Sequence, residues 1–279
     1  MILCPNCSKD NISIKKDKEI SYCSICNHYV YNQLTEKEIL FSHDHVGKHQ
    51  QVTRERQFKK VFNFILNKIP NPSFLEIGAG FGGYINFAKK LGFDCTAVDI
   101  DDYYRDEYLQ AGIKFIQQDA NNFDINNESE IFILSHIIEH IDNPKSLLKK
   151  IIKQKVKYLI VEVPSSEGMI FKLSKLLLTV NVFFVWNRLW QKSSNSPHLH
   201  YFSDKSIYKL FKDSDFEVER TYNSRFATIR GSFKRTSSTE NIIISLISVI
   251  LIQFLEFLNY LTQRPENKIY IVRNLKFNS

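Results

Sequence analysis

The sequence predicts a doubly wound α/β domain that is preceded by a small cysteine-bearing module. Short apolar runs alternate with segments of helical periodicity from about residue 50 onward, which is the pattern of a parallel sheet flanked by helices. Four glycines, at positions 78, 80, 82 and 83, follow the first of these runs. Two Cys-x-x-Cys pairs precede the domain, within the first 26 residues.

Length and composition fit this organisation. A chain of 279 residues with 43% hydrophobic and 24% charged residues can bury a full core and has the profile of a soluble globular protein. The net charge is +7, but the lysines are spread along the chain, so the charge indicates a solvated surface and requires no acidic partner. The first residues run directly into a cysteine pair, and we expect no secretory signal peptide.

The cysteine pairs predict a metal site in residues 1–40. Their spacing, Cys-x2-Cys-x15-Cys-x2-Cys, lies in the range of a zinc ion held by four thiolates, which would be Cys4, Cys7, Cys23 and Cys26. A module of this size cannot build an adequate core, so an ion is expected to stabilise a hairpin of Ile12–Lys16 and Glu19–Tyr22. Four thiolates leave no open position for catalysis, and redox-active pairs are the alternative. Cys95 is expected to be a small buried side chain.

A polar linker and a long helix follow. His43, His45 and His49 are expected to be solvated in the linker, with metal binding as the alternative. Apolar residues then recur at helical spacing over Val52–Ile69, and Pro70 ends this helix.

The glycine cluster predicts a ligand site at a strand-to-helix turn. Phe74–Ile77 is predicted to be the strand and Tyr84–Leu91 the helix, and the glycines between them let the backbone approach a ligand closely. The pattern Gly78-x-Gly80-x-x-Gly83 matches dinucleotide-binding turns, although this match alone is a weak signal. Glu76 would give the pocket an acidic floor, which suits a cationic ligand better than a pyrophosphate.

Four further parallel strands are predicted, at Asp94–Ile100, Ile113–Gln117, Ile131–Ser135 and Tyr158–Val163. A helix that opens at Asn143-Pro144 and runs to about Lys155 lies between the last two. Asp99 stands at the end of its strand, about twenty residues after the glycines, where a carboxylate can accept hydrogen bonds from both hydroxyls of a ribose.

The sequence Glu76-x-Gly78-x-Gly80 resembles motif I of the class I methyltransferases, which bind S-adenosylmethionine (SAM), and the resemblance spans roughly Val52–Val163. It implies a Rossmann-like, mostly parallel sheet of seven strands, completed by Phe216–Tyr222 and Lys268–Asn274. It also implies that the first long helix covers the SAM pocket, where Arg54 or Arg56 could meet the SAM carboxylate, with exposure of both on the surface as the alternative. The residues expected to bind the cofactor are Glu76, Gly78, Ala79, Gly80, Asp99, Ile100, Asp119, Ala120 and Ser135.

The segment His136-Ile-Ile-Glu139-His140 has two interpretations. It fits the His-x-x-Glu-His pattern of inverzincin metalloproteases, and two histidines at this spacing on a helix can share a metal. It follows a strand directly, however, and resembles the segment that closes strand four in many small-molecule methyltransferases. The second interpretation implies that His136 lines the active site beside the sulfonium. His140 would then support it or hold a loop by hydrogen bonds.

Pro197-His-Leu-His-Tyr-Phe-Ser203 predicts a second part of the active site. It resembles the sequence His-Glu-His-Leu-Ser-Tyr-Phe-Ser of sugar C-methyltransferases that also carry an N-terminal zinc domain. His198 matches the second histidine, which implies a role in proton abstraction, although Pro197 replaces the preceding glutamate. A histidine is a natural base near neutral pH, and a structural role for His198 is the alternative. Ser203 or Asp204 is expected to cap a helix over Lys205–Lys212.

Two apolar segments remain. Met169–Trp190 is interrupted by charged residues and is too broken for a membrane span, so residues 165–197 are expected to form a lid over the acceptor. The segment 241–262 is borderline in length and is expected to pack on the protein, on a partner subunit or in a membrane surface. A peripheral membrane contact and a homodimer therefore both stay open.

These observations predict a SAM-dependent methyltransferase with a zinc ribbon at 1–40 and a catalytic domain at 50–279. By resemblance, the favoured reaction is O-methylation of a sugar, nucleotide sugar or surface-glycan precursor in the cytoplasm. A lipid or quinone acceptor at the inner membrane face is the alternative. A non-catalytic SAM-binding or RNA-binding module is disfavoured, since the ribbon lacks the interleaved aromatic and basic residues that bind bases.

Overall fold

A computed structural model of the protein describes residues 3–9, 12–14, 16–32, 46–124, 126–194, 196–224, 250, 253–254, 257–259 and 261–277. The expectations for His43, His45 and much of the segment 241–262 concern residues outside these ranges. Two β-sheets organise the described residues, one of four strands and one of seven. No helix in these ranges is both long enough and apolar enough to cross a membrane.

Strands and helices alternate along much of the chain. The strands are β1 (Ile12–Ile14), β2 (Asp17–Cys23), β3 (His28–Tyr31), β4 (Phe74–Ile77), β5 (Cys95–Asp99), β6 (Lys114–Gln117), β7 (Ile131–Ser135), β8 (Tyr158–Pro164), β9 (His200–Tyr201), β10 (Phe216–Ser224) and β11 (Asn267–Asn274). The helices are α1 (Val46–Leu66), α2 (Gly83–Lys90), α3 (Arg105–Gln110), α4 (Pro144–Ile151), α5 (Met169–Thr179), α6 (Phe184–Leu189) and α7 (Asp204–Lys212).

The seven-stranded sheet confirms the predicted mostly parallel α/β fold. Its strand order is β10-β11-β8-β7-β4-β5-β6, and β11 runs antiparallel to both of its neighbours while β4 to β8 pair in parallel. Side chains of each strand alternate between two buried clusters, so that Leu75 enters one cluster and Phe74 the other. The carboxyl ends of the parallel strands meet at one edge, where ligands of such sheets bind.

Two helices differ from their predicted bounds. α1 begins at Val46, so His49 lies in a helix and the prediction that it lies in a linker was wrong. The residues Gln50 and Gln51 are good helix formers, and the helix therefore continues beyond the apolar repeat that predicts it. α4 ends at Ile151, short of Lys155, because the chain turns there to bring Val156 into the core.

The four-stranded sheet joins the N-terminal module, residues 3–32, to a distant part of the chain. Its order is β1-β2-β3-β9, and the hairpin of β1 and β2 was predicted. β9 pairs antiparallel with β3, with Tyr29 opposite Tyr201 and Val30 opposite His200. The segment that carries His198 therefore leads directly into the sheet of the N-terminal module.

Side chains reinforce this junction. A buried cluster combines residues of the module, of α5, of α6 and of β9, namely Ile20, Tyr29, Phe171, Leu178, Trp186, Trp190 and Tyr201. The indole Nε1 of Trp186 donates a hydrogen bond of 2.8 Å to Asp17 Oδ2. Lys192 forms ion pairs with both Asp17 and Glu19. The module is thus packed against the segment that was predicted to be a lid.

Candidate active site

The glycine turn between β4 and α2 opens the carboxyl edge of the sheet. Gly78 and Gly80 have φ values of 63° and 51°, in the left-handed region that favours glycine. A Cβ atom at Gly78 would lie 1.9 Å from the Ile137 side chain, so a larger residue would have to displace Ile137 as well as adopt a strained φ. A Cβ atom at Gly80 would meet nothing within 4 Å, which shows that the turn borders open space.

Glu76 lies beneath this turn and is only 2% exposed. Its Oε2 accepts a hydrogen bond of 2.8 Å from the backbone N–H of Ile85, which ties β4 to the first turn of α2. Burial raises the pKa of the Glu76 carboxyl to about 8. The acidic floor stays a prediction, in which a bound cation would favour the ionised form of Glu76.

Asp99 ends β5 and faces the same opening. Its Oδ2 accepts a hydrogen bond of 2.6 Å from the backbone N–H of Gly80, and burial raises its pKa. Beyond β6, the Asp119 side chain caps a 3-10 turn at Ala120–Asn122 by accepting from the Asn121 N–H at 2.9 Å. Ala120 packs against the core at the same edge.

These residues fit the adenosyl part of SAM. Asp99, held beside the open turn at Gly80, offers a carboxylate acceptor of the kind that ribose hydroxyls require. Ile100 and Ala120 are partly buried and supply apolar surface next to it. Ala79 is buried in the core and fixes the turn through its N–H, which donates to the Val98 carbonyl at 3.0 Å.

A buried ion pair that was not predicted lies beside the glycine turn. Glu162, in the middle of the apolar strand β8, pairs with Arg54 of α1 and accepts hydrogen bonds from Tyr84 Oη at 2.9 Å and Ser224 Oγ at 2.6 Å. Burial alone would raise the pKa of Glu162, but the charge of Arg54 and the nearby imidazole of His136 hold it well below its usual range. Its signal in the sequence was an acid inside an otherwise apolar run.

His136 follows β7 in a left-handed conformation, with φ 57°, that sets its ring between two buried carboxylates. Nδ1 lies 3.1 Å from Glu139 Oε1, and Nε2 lies 3.7 Å from Glu162 Oε1. Burial lowers the pKa of His136, but the two glutamates outweigh it and raise the pKa to about 9. The side chain is 36% exposed, so a charged imidazole borders the cleft. Ser135, the last residue of β7, lies within 3.5 Å of Glu162 through its hydroxyl.

The structure brings His198 to the His-x-x-Glu-His segment. The backbone carbonyl of Glu139 accepts hydrogen bonds from the N–H groups of Leu199 and His200, at 2.7 and 3.0 Å. The rings of His140 and His198 are 4.9 Å apart. Burial, with a smaller contribution from His140, lowers the pKa of His198 to about 3, so its imidazole is neutral. His136 and His198 thus both lie close to the buried Glu139.

The four cysteines of the N-terminal module form a compact cluster. Their sulfur atoms lie within 4.8 Å of one another, none is in a disulfide, and Cys4, Cys23 and Cys26 are buried. A hydrogen bond from Cys26 lowers the pKa of the Cys4 thiol to about 3. Four sulfurs in this arrangement fit a tetrahedral ion. The cluster is tied to the catalytic domain, since Ser203 Oγ donates to the Cys26 carbonyl at 3.4 Å.

Strand order, the glycine turn and the acid that ends β5 together define the class of the protein. A mostly parallel sheet with one reversed strand near its edge, and a carboxylate-lined opening at its carboxyl end, is the architecture of the class I SAM-dependent methyltransferases. The model of a methyltransferase domain family matches residues 49–221. This is more than half of the chain, which therefore belongs to that family and is a SAM-dependent methyltransferase.

Solved structures share the fold at low sequence identity. A SAM-dependent methyltransferase from Thermotoga maritima, described as a possible histamine N-methyltransferase, has a TM-score of 0.52 and 15% identity, over 82% of this chain and 91% of its own. A putative sarcosine dimethylglycine methyltransferase from Galdieria sulphuraria has a TM-score of 0.54 and 12% identity, over 85% and 94%. Magnesium protoporphyrin IX methyltransferase from Synechocystis, with bound SAH, has a TM-score of 0.51 and 11% identity, over 86% and 90%. No curated protein matches the sequence significantly.

Proposed function

We propose that the chain O-methylates a sugar, a nucleotide sugar or a surface-glycan precursor. The observation that supports this acceptor class is the polar wall beside the glycine turn, where His136, Glu139, His140 and His198 come together. Such a wall suits an acceptor with several hydroxyl groups. The resemblance of Pro197–Ser203 to sugar methyltransferases supports the same class.

The cofactor would occupy the opening beside the glycine turn. When bound, SAM supplies an electrophilic methyl group on a sulfonium. Asp99 would accept from the ribose hydroxyls, and Glu76 would compensate positive charge from below. The complete set proposed to bind SAM is Glu76, Gly78, Ala79, Gly80, Asp99, Ile100, Asp119, Ala120 and Ser135. Arg54, paired with Glu162, would order the entrance rather than neutralise the SAM carboxylate alone.

His198 and His136 are the proposed catalytic residues. The acceptor oxygen would take the methyl group that bound SAM supplies, leaving the sulfur as a thioether, and the hydroxyl proton would pass to the cluster around His198. The imidazole of His198 would accept this proton, and the buried carboxylate of Glu139 would stabilise the resulting charge and so oppose the burial that lowers the pKa of His198. His136, held as an imidazolium by Glu139 and Glu162, orients the acceptor. Most of the acceleration would come from positioning.

The N-terminal module is proposed to be a zinc ribbon of residues 1–40, with Cys4, Cys7, Cys23 and Cys26 as ligands. It would act as a structural support for a catalytic domain at 50–279, in which residues 165–197 form the lid. The pairing of β3 with β9 and the buried cluster around Trp186 support this role, because both connect the module to the acceptor side.

One observation favours a second candidate, a lipid or quinone acceptor at the inner membrane face. Large apolar side chains are exposed around the end of α5 and the start of α6, with Leu176 65%, Val180 66% and Phe184 73% exposed. Groups of exposed apolar residues mark membrane or protein contacts. A location in the cytoplasm, with or without membrane contact or a homodimer, stays a prediction.

A methyl-transfer assay tests the proposed function. The full chain would be incubated with SAM and with separate panels of nucleotide sugars, free sugars, and quinones or lipids in vesicles. We expect transfer to an acceptor of the first two panels, and loss of both SAM binding and transfer in Asp99→Ala. Transfer to the lipid panel alone would contradict the sugar proposal in favour of the second candidate. Binding of SAM without transfer to any panel would contradict both.

A further inference from the structure

The polar wall beside the glycine turn holds a set of metal-ligand groups separate from the four cysteines. One ligand atom each of Glu139, His140 and His198 lies within 4.8 Å of the other two. We infer that these three residues form a second metal site, which takes one divalent ion such as Mn²⁺, Fe²⁺ or Zn²⁺. Two imidazoles and one carboxylate are a donor set that such ions accept, and they leave positions open for a ligand.

Hydrogen bonding fixes the tautomer of His140 in the form that a metal requires. Its Nδ1 lies 2.8 Å from the Pro197 carbonyl, which accepts only, so Nδ1 carries the proton. The lone pair is therefore on Nε2, which has no hydrogen-bond partner among the described residues. Metal-ligating histidines donate their other N–H to a carbonyl or carboxylate in this way.

His198 is held in the same tautomer by a different partner. Tyr201 donates its hydroxyl proton to the Leu189 carbonyl at 3.0 Å, so the Tyr201 oxygen is left to accept from His198 Nδ1 at 3.3 Å. The lone pair of His198 is thus also on Nε2, where the Gln191 amide nitrogen lies at 3.0 Å. An ion would take this lone pair by displacing the Gln191 amide.

Glu139 supplies the charge. The residue is fully buried, and its Oε1 is held by His136 at 3.1 Å, whereas Oε2 has no hydrogen-bond partner among the residues that the structure describes. A buried carboxylate oxygen without a partner is costly unless a cation or donor reaches it. An ion between Oε2 and the two imidazoles would satisfy it, with His136 acting as the supporting partner of the carboxylate.

Such an ion would act on the acceptor. This role rests on the proposed function and refines one step of it. An acceptor hydroxyl would bind to an open position of the ion, which lowers the pKa of that hydroxyl, and its proton would leave to water instead of to His198. The ligand class is then an acceptor with an oxygen donor next to the methylated position, such as a vicinal diol.

A titration of the zinc-loaded full chain with Mn²⁺ tests the site, because thiolates select zinc over this harder ion. The free Mn²⁺ signal in electron paramagnetic resonance measures binding, and a parallel titration measures a second equivalent of zinc. We expect one saturable Mn²⁺ or second Zn²⁺ per chain, with affinity at least about tenfold lower in Glu139→Gln and in His140→Gln. Gln191→Ala is expected to bind the ion more tightly, since a competing donor is removed.

Glu128→Gln, on the exposed surface next to Lys155, is the matched control and should bind the ion as the wild type does. SAM binding by each variant reports whether the cleft is still folded. A wild-type chain that takes up neither Mn²⁺ nor a second zinc overturns the inference, as does uptake unchanged in both ligand variants. Failure of the proposed function would give a different result: the chain would bind the ion but would methylate no acceptor that carries hydroxyl groups.

Discussion

Two buried carboxylates at the edge of the sheet behave in opposite ways. Glu76 has one backbone donor, and burial raises its pKa to about 8. Glu162 has Arg54, Tyr84 and Ser224 around it, and these partners keep it ionised despite equal burial. The charge of each carboxylate is set by its hydrogen-bond and ionic partners and not by its burial. We therefore expect Glu76 and Glu162 to respond differently to substitution.

Replacement of Glu76 by glutamine should change how stability depends on pH. The pKa of Glu76 in the folded chain is about 8, against an ordinary value of 4.5, so the folded state binds the proton more tightly between these values. The free energy of unfolding should therefore fall as the pH rises through this window, by at most about 1.4 kcal/mol per pH unit from this group. Glu76→Gln should lack this contribution.

Urea unfolding without SAM, at several pH values from about 5 to 8, measures the effect. The free energy of unfolding of Glu76→Gln, minus that of the wild type, is expected to increase with pH. Glu128→Gln changes the same chemical group on the surface and should follow the wild type. A difference that is constant with pH would show that the Glu76 pKa is not raised.

Replacement of Glu162 by glutamine should leave the Arg54 guanidinium buried without its counter-charge. Loss of one partner of a buried pair costs about 3–5 kcal/mol, so Glu162→Gln should lower the free energy of unfolding by that order. The double variant Arg54→Met with Glu162→Gln should recover much of this loss, since it removes the stranded charge. Urea unfolding of both single variants and the double variant measures the coupling. Strictly additive effects would contradict the pairing.

At the scale of elements, the two-residue strand β9 links the proposed acceptor side to the N-terminal module. β3 pairs with β9, the Tyr31 N–H donates to the Leu199 carbonyl at 2.9 Å, and Ser203 caps α7 while bonding to Cys26. In the described part of the chain, the cofactor side, built from β4, β5 and the glycine turn, shares no sheet with the module. The cofactor side and the proposed acceptor side should therefore respond differently to loss of the proposed zinc ion of the module.

Replacement of Cys23 by serine should loosen the acceptor side and spare the cofactor side. Cys23 is buried in the four-cysteine cluster, and a structural ion of this type is part of the folding free energy of its module. Hydrogen exchange should rise in residues 197–203, whereas SAM affinity measured by calorimetry should change little. Cys95→Ala, which alters a buried cysteine of β5, is the control and should leave exchange at 197–203 unchanged. A clear loss of SAM affinity in Cys23→Ser, together with the rise in hydrogen exchange, would contradict this separation.

At the scale of the whole molecule, signals that lie within one stretch of sequence predicted much of the structure. The glycine turn, the acid that ends β5 and the proline that opens α4 each mark the boundary of a strand or helix. The alternation of apolar strands with periodic helices then predicts the parallel part of the sheet. The substrate, the metal sites and the roles of the individual site residues stay predictions.

Contacts between distant segments could not be predicted in this way. Arg54 had no sequence signal for its pairing with Glu162, because the contact depends on how α1 crosses the sheet. The meeting of Glu139 with His198 and the pairing of Tyr29 with Tyr201 likewise depend on the route of the chain between them. Propensity and periodicity describe single elements and carry no information on which elements meet.

The exposed apolar side chains around α5 and α6 predict a surface property of the molecule. No Asp or Glu occurs from Gly168 to Phe202, and Lys172 and Arg188 lie among the apolar residues, which favours contact with an anionic lipid surface. We expect the full chain to cosediment with vesicles that contain phosphatidylserine, and Val180→Ser with Phe184→Ser to weaken this several-fold. Leu109→Ser, at an exposed leucine of α3, is the control. The prediction would be contradicted if the wild type did not bind the vesicles, or if the double variant bound them as well as the wild type does.

The pairing of β3 with β9 also has a consequence for how the protein is made. Tyr29 and Tyr201 are separated by about 170 residues, so this contact closes one of the longest loops in the chain and should form late. The N-terminal module leaves the ribosome before the catalytic domain does, with the edge of β3 unpaired until β9 has been synthesised. A newly synthesised chain should therefore form the cofactor cleft before it forms the proposed acceptor side, and a chain truncated before β9 would never form the latter.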